Sequence, residues 1–224
     1  MNIEGDIFKK YTPDFKKLAE YGFTKNKTAY FYEKVFGNNE FKAVIEINKN
    51  AEISGKVYDL VSNEEYLPLK VSAQKGAFVG EIREEYKNIL TDIRNNCFSK
   101  NYFVSAQANR IANSIISKYG DVPEYLWKDC EYGVFRNAKN KKWYGIIMDI
   151  NYSKLGEKNK PVDVINIKLD KEEIQTLLKQ KGFYPAWHMN KKSWISIPLD
   201  ETLTDNKIMK LIEESYSYTV KKGR

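Results

Sequence analysis

The chain has 224 residues, of which 42% are hydrophobic and 14% aromatic, enough apolar material for one large domain or two of ordinary size. A charged fraction of 30% with both signs mixed fits a folded, water-exposed surface, and no apolar run approaches the roughly 20 residues of a membrane helix. The net charge of +7 is uneven: residues 1–104 carry 16 Lys and Arg against 15 Asp and Glu, and residues 105–224 carry 21 against 15.

An excess of positive charge on one half points to an anionic partner there, nucleic acid first, or to no more than solvated lysines. The start, Met1-Asn2-Ile3-Glu4-Gly5-Asp6, is acidic and lacks a signal-like apolar region, so a cytoplasmic location is expected. Cys97 and Cys130 have neither CxxC nor metal-ligand spacing and read as reduced, buried thiols.

Residues 1–22 read as two helical pieces, with Thr12 as the N-cap of the second, Pro13 in its first turn and Gly22 at its end. Three strands follow at 28–36, 41–48 and 53–61. The middle one alternates Phe41, Ala43, Ile45 and Ile47 with Lys42, Val44, Glu46 and Asn48. The connections are too short for parallel crossovers, so this is an antiparallel meander, with 66–71 as a further extended edge. Residues 78–98 form the clearest helix, with Val79, Ile82, Tyr86, Leu90, Ile93 and Cys97 on one stripe.

Residues 98–104 read as a connector between two domains, 1–104 and 105–224. Ser105 caps a helix over 106–119 that Gly120 closes. A second antiparallel sheet follows: 133–136, a turn at 137–140, then 141–150 with Tyr144, Ile146, Met148 and Ile150 on one face and Trp143, Gly145 and Ile147 on the other. A lysine-bearing loop at 153–160 leads to a strand at 162–169. Asp170 and Glu173 then make a capping-box-like start to a helix that buries Ile174, Leu177 and Leu178 and ends at Gly182. After the corner Phe183–Lys192 come a strand at 193–197 and a last helix from Thr204 or Asp205, burying Ile208, Leu211 and Ile212. Lys221, Lys222 and Arg224 form a basic tail. The fold class is therefore α+β, two domains, each an antiparallel sheet packed against helices.

Catalytic signatures are missing. His188 is the single histidine, and no nucleophile on a tight turn accompanies it. There is no Walker or dinucleotide glycine loop and no HExxH. Neither an enzyme nor a cofactor is expected.

Trp127, Val134-Phe135-Arg136, Lys142-Trp143-Tyr144, the run from Asp163 to Lys168, Gly182-Phe183-Tyr184-Pro185-Ala186, His188-Met189-Asn190-Lys191 and Trp194 occur in one order. Together they resemble the MmcQ/YjbR family of small bacterial proteins over about residues 115–220. Glu64-Glu65-Tyr66 followed by the run from Gly76 to Gly80 and by Tyr86 resembles the extension of a longer form of that family. The resemblance implies a CyaY-like (frataxin-like) C-terminal domain and DNA binding through a proposed double wing motif. Ser193 stands where many relatives have a second histidine, which speaks against a histidine pair as ligand or acid–base couple. The helix over 106–119 contains Arg110 and Lys118 and no carboxylate, so the acidic ridge of frataxins is not carried over.

Two functional readings follow. In the first, a DNA-binding module without strong sequence specificity, Arg136, Lys139, Lys141 and Lys142 on one hairpin and Lys191 and Lys192 on another contact phosphates, with Trp143 or Trp187 available for stacking. In the second, Trp127, Trp143, Tyr184, Trp187, His188 and Asn190 line a pocket for a protein or small molecule. The bland alternative is that the tryptophans are packing residues and His188 a structural bridge. No metal site, no membrane and a monomer are expected.

Overall fold

The computed structural model describes residues 2–71, 73 and 76–220, and the chain separates into two compact units, Met1–Asn101 and Tyr102–Arg224. The basic tail at 221–224 lies outside the described residues.

The N-terminal unit runs α1 (Ile3–Phe8), β1 (Tyr11–Pro13), α2 (Phe15–Tyr21), β2 (Thr24–Lys25), β3 (Ala29–Phe36), β4 (Phe41–Asn48), β5 (Ile53–Asp59), β6 (Glu64–Glu65), α3 (Ala77–Cys97) and β7 (Phe98–Lys100). Strands β2 to β6 pair in sequence order, all antiparallel. Phe41, Ala43, Ile45 and Ile47 are buried with Ile82, Tyr86, Leu90 and Ile93 of α3 in one core. The periodicities of two and of three to four therefore meet, as expected for a sheet face and a helix stripe. Cys97 lies in this core, and burial pushes its thiol up to about 11.

Three details of this half differ from the sequence reading. Asp14, not Thr12, caps α2, its carboxylate accepting from the Lys16 and Lys17 amides, and Pro13 ends strand β1. The supposed connector begins as β7, antiparallel to β1, with Thr12 opposite Ser99. Leu67–Lys70 is a 3₁₀ turn with proline near its start, so the edge of the sheet is the two-residue β6; Pro68 has no N–H to give a ladder.

The C-terminal unit runs α4 (Ala106–Tyr119), β8 (Glu124–Tyr125), β9 (Gly133–Arg136), β10 (Trp143–Asn151), β11 (Pro161–Lys168), α5 (Lys171–Leu177), β12 (Tyr184–Pro185), β13 (Trp194–Pro198) and α6 (Asp205–Val220). The sheet order is β12-β13-β11-β10-β9-β8, antiparallel throughout. On one face Phe135, Tyr144, Ile147, Ile165, Ile167, Ile195 and Ile197 pack with Ile111 and Ile115 of α4, Ile174 of α5 and Ile208 and Ile212 of α6. Both units are thus mixed α+β with antiparallel sheets.

The face assignment at the start of β10 is corrected by a β-bulge between Trp143 and Gly145. The extra residue shifts the alternation. Tyr144 therefore joins Ile147 on the helix side, where its hydroxyl donates to Asp121 at 2.9 Å, and Trp143 joins Ile146, Met148 and Ile150 on the other face. Helix α5 stops at Leu177, and Leu178 is 36% exposed rather than buried, because the chain leaves the helix there and turns through Gly182 at φ +90°. Asp170 caps α5 through the Glu172 amide, while Glu173 is drawn to Glu214 of α6.

Candidate nucleic-acid interface

The second face of the C-terminal sheet positions the residues of interest. Val134, Ile146, Met148, Ile150, Val162 and Val164 form an apolar cluster there, and partly buried Tyr132, Trp143, Leu155, Tyr184 and Trp187 pack against it. Loops and aromatic side chains cover what helices cover on the opposite face.

The cover is pinned at its centre by two buried polar residues. Asn166 and Ser196 are opposite one another across β11 and β13 and have no exposure. The Ser196 hydroxyl donates to Asn166 Oδ1 at 2.5 Å and accepts from the Trp187 amide at 3.0 Å, and Asn166 Nδ2 donates to the Trp187 carbonyl at 2.7 Å. Both backbone groups of one loop residue are held, and buried polar groups persist when every member is satisfied in this way. His188 follows at φ +57°, exposed, its ring centroid 3.7 Å from that of Trp187. Asn190 then turns the chain, its side chain accepting from the Lys192 amide, with Lys191 and Lys192 exposed.

The other basic turn is the hairpin between β9 and β10. The Asn137 amide donates to the Lys142 carbonyl, the Lys141 amide donates back to the Asn137 carbonyl, and Lys141 takes φ +60°. Asn137 Nδ2 donates to Thr219 Oγ1 at 2.9 Å and Asn140 Nδ2 to the Thr219 carbonyl at 2.7 Å. The hairpin is therefore docked on the last turn of α6, with Lys139, Lys141 and Lys142 exposed.

Charge pairing separates the cations. Arg136 is ion-paired with Glu124 of the neighbouring strand. Arg110 is clamped by Glu201 and Asp205, and Lys118 pairs with Glu213. Among the described residues none of Lys139, Lys141, Lys142, Lys168, Lys191 and Lys192 has such a partner. Of the sequence-selected cations, Arg136 is thus internally compensated and the five lysines are not.

Of the aromatic set, Trp127 stands edge-on to Trp143 at 5.9 Å and to Tyr132 at 6.2 Å. Tyr184 donates to Glu157 at 2.7 Å and meets Tyr152 edge-on, so its hydroxyl is engaged. The structure groups Trp127 with Trp143 and Trp187 with His188. The groove of this region, about 400 Å³ and open to solvent, is lined by Lys142, Trp143, Lys168, Trp194, Tyr218 and Thr219. Lys168 and Trp194 entered no sequence-based site, although they face one another across β11 and β13; helix α5 and the corner separate them in sequence.

Next to Tyr218 lies an acidic pair. Burial first, then a hydrogen bond and repulsion from Glu214, raises Glu173 to about 7. Glu214 also accepts from the Tyr218 hydroxyl at 2.8 Å, and burial first, then this hydrogen bond, pushes that phenol up to about 12. Among the described residues, no group of three or more His, Cys, Asp or Glu side chains is arranged to hold a metal. No described helix is long and apolar enough to cross a membrane.

The YjbR family profile matches residues 116–218. The chain is 38% identical over 111 residues to the uncharacterized protein YyaQ of Bacillus subtilis, covering 49% of this chain and 94% of that one. A crystal structure of a Pseudomonas syringae protein is 39% identical at a TM-score of 0.48, over 49% of this chain and 96% of its own. A Deinococcus radiodurans protein with a DUF419 domain is 21% identical at a TM-score of 0.39, over 50% of this chain and 78% of its own. Through residues 116–218, which hold both basic hairpins and most of the groove, the chain belongs to the MmcQ/YjbR family.

Proposed function

We propose that the protein binds DNA through the C-terminal unit, without strong sequence specificity. The observation that carries this reading is the set of exposed lysines, Lys139, Lys141, Lys142, Lys191 and Lys192, on two short turns with no carboxylate partner among the described residues. Lysines of this kind neutralise phosphates and release counterions, which supplies affinity without base readout. The turns are held in place, one by Thr219 and the other by Asn166 and Ser196, so they are ready to contact a backbone as a pair of wings. The helix–antiparallel sheet–helix order of residues 102–220 supports a CyaY-like arrangement for this unit. The unpaired thiols Cys97 and Cys130 support a reducing, cytoplasmic setting.

The test is fluorescence anisotropy of labelled DNA with the full chain across a salt series. On duplex DNA the logarithm of affinity falls with the logarithm of salt by about 0.9 per phosphate neutralised. A slope reporting several phosphates is expected. Absence of binding at low salt overturns the reading.

A further inference from the structure

The groove beside the hairpin has a chemistry that phosphate contacts alone do not use. Its volume, about 400 Å³, lies in the range of about 300–1,000 Å³ typical of small-molecule sites. Lys168 and Trp194 are cross-strand neighbours, and Trp143 opens β10 on the far side of β11. Lys168, on β11, therefore lies between the strand of Trp194 and the strand of Trp143. The two hydroxyls in the lining are already engaged: Tyr218 donates to Glu214, and Thr219 donates to the Tyr216 carbonyl while accepting from Asn137. What the groove has left to offer a ligand is the half-buried ring of Trp143, the edge of Trp194 that its 9% exposure leaves open, and the positive charge of Lys142 and Lys168.

From this we infer that the groove is a subsite for one unstacked nucleobase and its phosphate. The inference rests on the anionic-backbone reading above and narrows it: the partner at this site is a single strand or a free nucleotide, not an intact duplex. A base inside a duplex is stacked on its neighbours and reaches such a site only after flipping. A base in a single strand offers its π-face directly, and the adjoining phosphate meets the lysines. Among the described residues no Asn, Gln or Arg lines the groove to read a base edge, so the subsite tolerates any base.

The test uses the full chain and three probes: an oligothymidylate of about ten residues, an abasic strand with the same number of phosphates, and thymidine monophosphate. Stacking makes the normal strand bind about 5- to 150-fold tighter than the abasic one, with quenching of tryptophan emission. Lys168→Gln, an exposed change that leaves the core untouched, weakens the normal strand and reduces the quenching. Equal affinity for the two strands, with Lys141→Glu/Lys142→Glu weakening both, overturns the base subsite and leaves the phosphate reading standing. Quenching by the mononucleotide without binding of either strand supports the groove, assigns it to a free nucleotide and overturns the phosphate reading. Quenching by the strand alone assigns the single strand. No response to any probe overturns both.

Discussion

The two units use the same construction to different ends. Each turns one apolar sheet face to helices. On the second face of the N-terminal sheet, Lys42, Val44, Glu46 and Asn48 are half-buried, and Lys42 pairs with Glu33 on the neighbouring strand. Such a face meets water directly, as antiparallel sheets commonly do. On the second face of the C-terminal sheet, Val134, Ile146, Met148 and Val164 are at most 3% exposed. That face needs a cover, and Tyr132 and Trp187 from loops, with Trp143 and Tyr184 from strand starts, provide it. Covering a sheet with loops brings aromatic rings and turn lysines to the surface together. This is why the candidate site belongs to the C-terminal unit, where the charge excess also lies.

The comparison breaks first at the second faces themselves. Met148→Ala should cost about 2–5 kcal/mol, the loss of a fully buried side chain with its cavity. Val44→Ala, half-exposed on the corresponding face of the other sheet, should stay within about 1 kcal/mol. Chemical denaturation of the two variants measures both, and equal costs would mean that the faces do not differ. The next effect belongs to the pinned cover. Asn166→Ala leaves the Trp187 carbonyl without its donor and should cost about 1–3 kcal/mol. Faster hydrogen exchange at the Trp187 amide, which is held by Ser196, should accompany it.

A smaller, pH-dependent effect sits between α5 and α6. Glu173 is raised from 4.5 to about 7, so the folded state binds its proton more tightly than the unfolded chain does. The stability this confers is complete below about pH 4.5 and is lost as pH rises through about 7. Glu173→Gln should flatten the thermal midpoint across that window and raise it above pH 7. An unchanged pH profile would mean that Glu173 and Glu214 do not share a proton. The smallest effect is expected of Lys42→Glu, on the charge-balanced half, which should leave DNA affinity unchanged in the same anisotropy assay.

Much of this architecture was legible wherever the pattern is local. Phe41–Asn48 alternates buried and half-buried without a break, the α3 stripe lies in the core, and Ser105 caps α4 through the Ala108 amide. Two of the misreadings are non-local. Nothing near Tyr11–Pro13 announces a strand, because its partner is Phe98–Lys100. The bulge that sends Trp143 and Tyr144 to opposite faces is set by pairing with β9, not by the alternation within β10. The candidate site divides the same way. The hairpin lysines could be read from Asn137–Lys142 alone. The neutralisation of Arg136 by Glu124 could not, and neither could a groove that gathers Trp143, Lys168, Trp194 and Tyr218 from three strands and a helix.

The central claim is that unpaired lysines on the C-terminal turns hold a nucleic-acid backbone. Anisotropy of labelled single-stranded DNA with the full chain and with Lys141→Glu/Lys142→Glu, over a salt series, tests it most directly. The predicted result is weaker binding by the variant and a salt slope shallower by about 1.4, two single-strand phosphate contacts. An unchanged affinity and an unchanged slope would contradict the account and remove the hairpin from it.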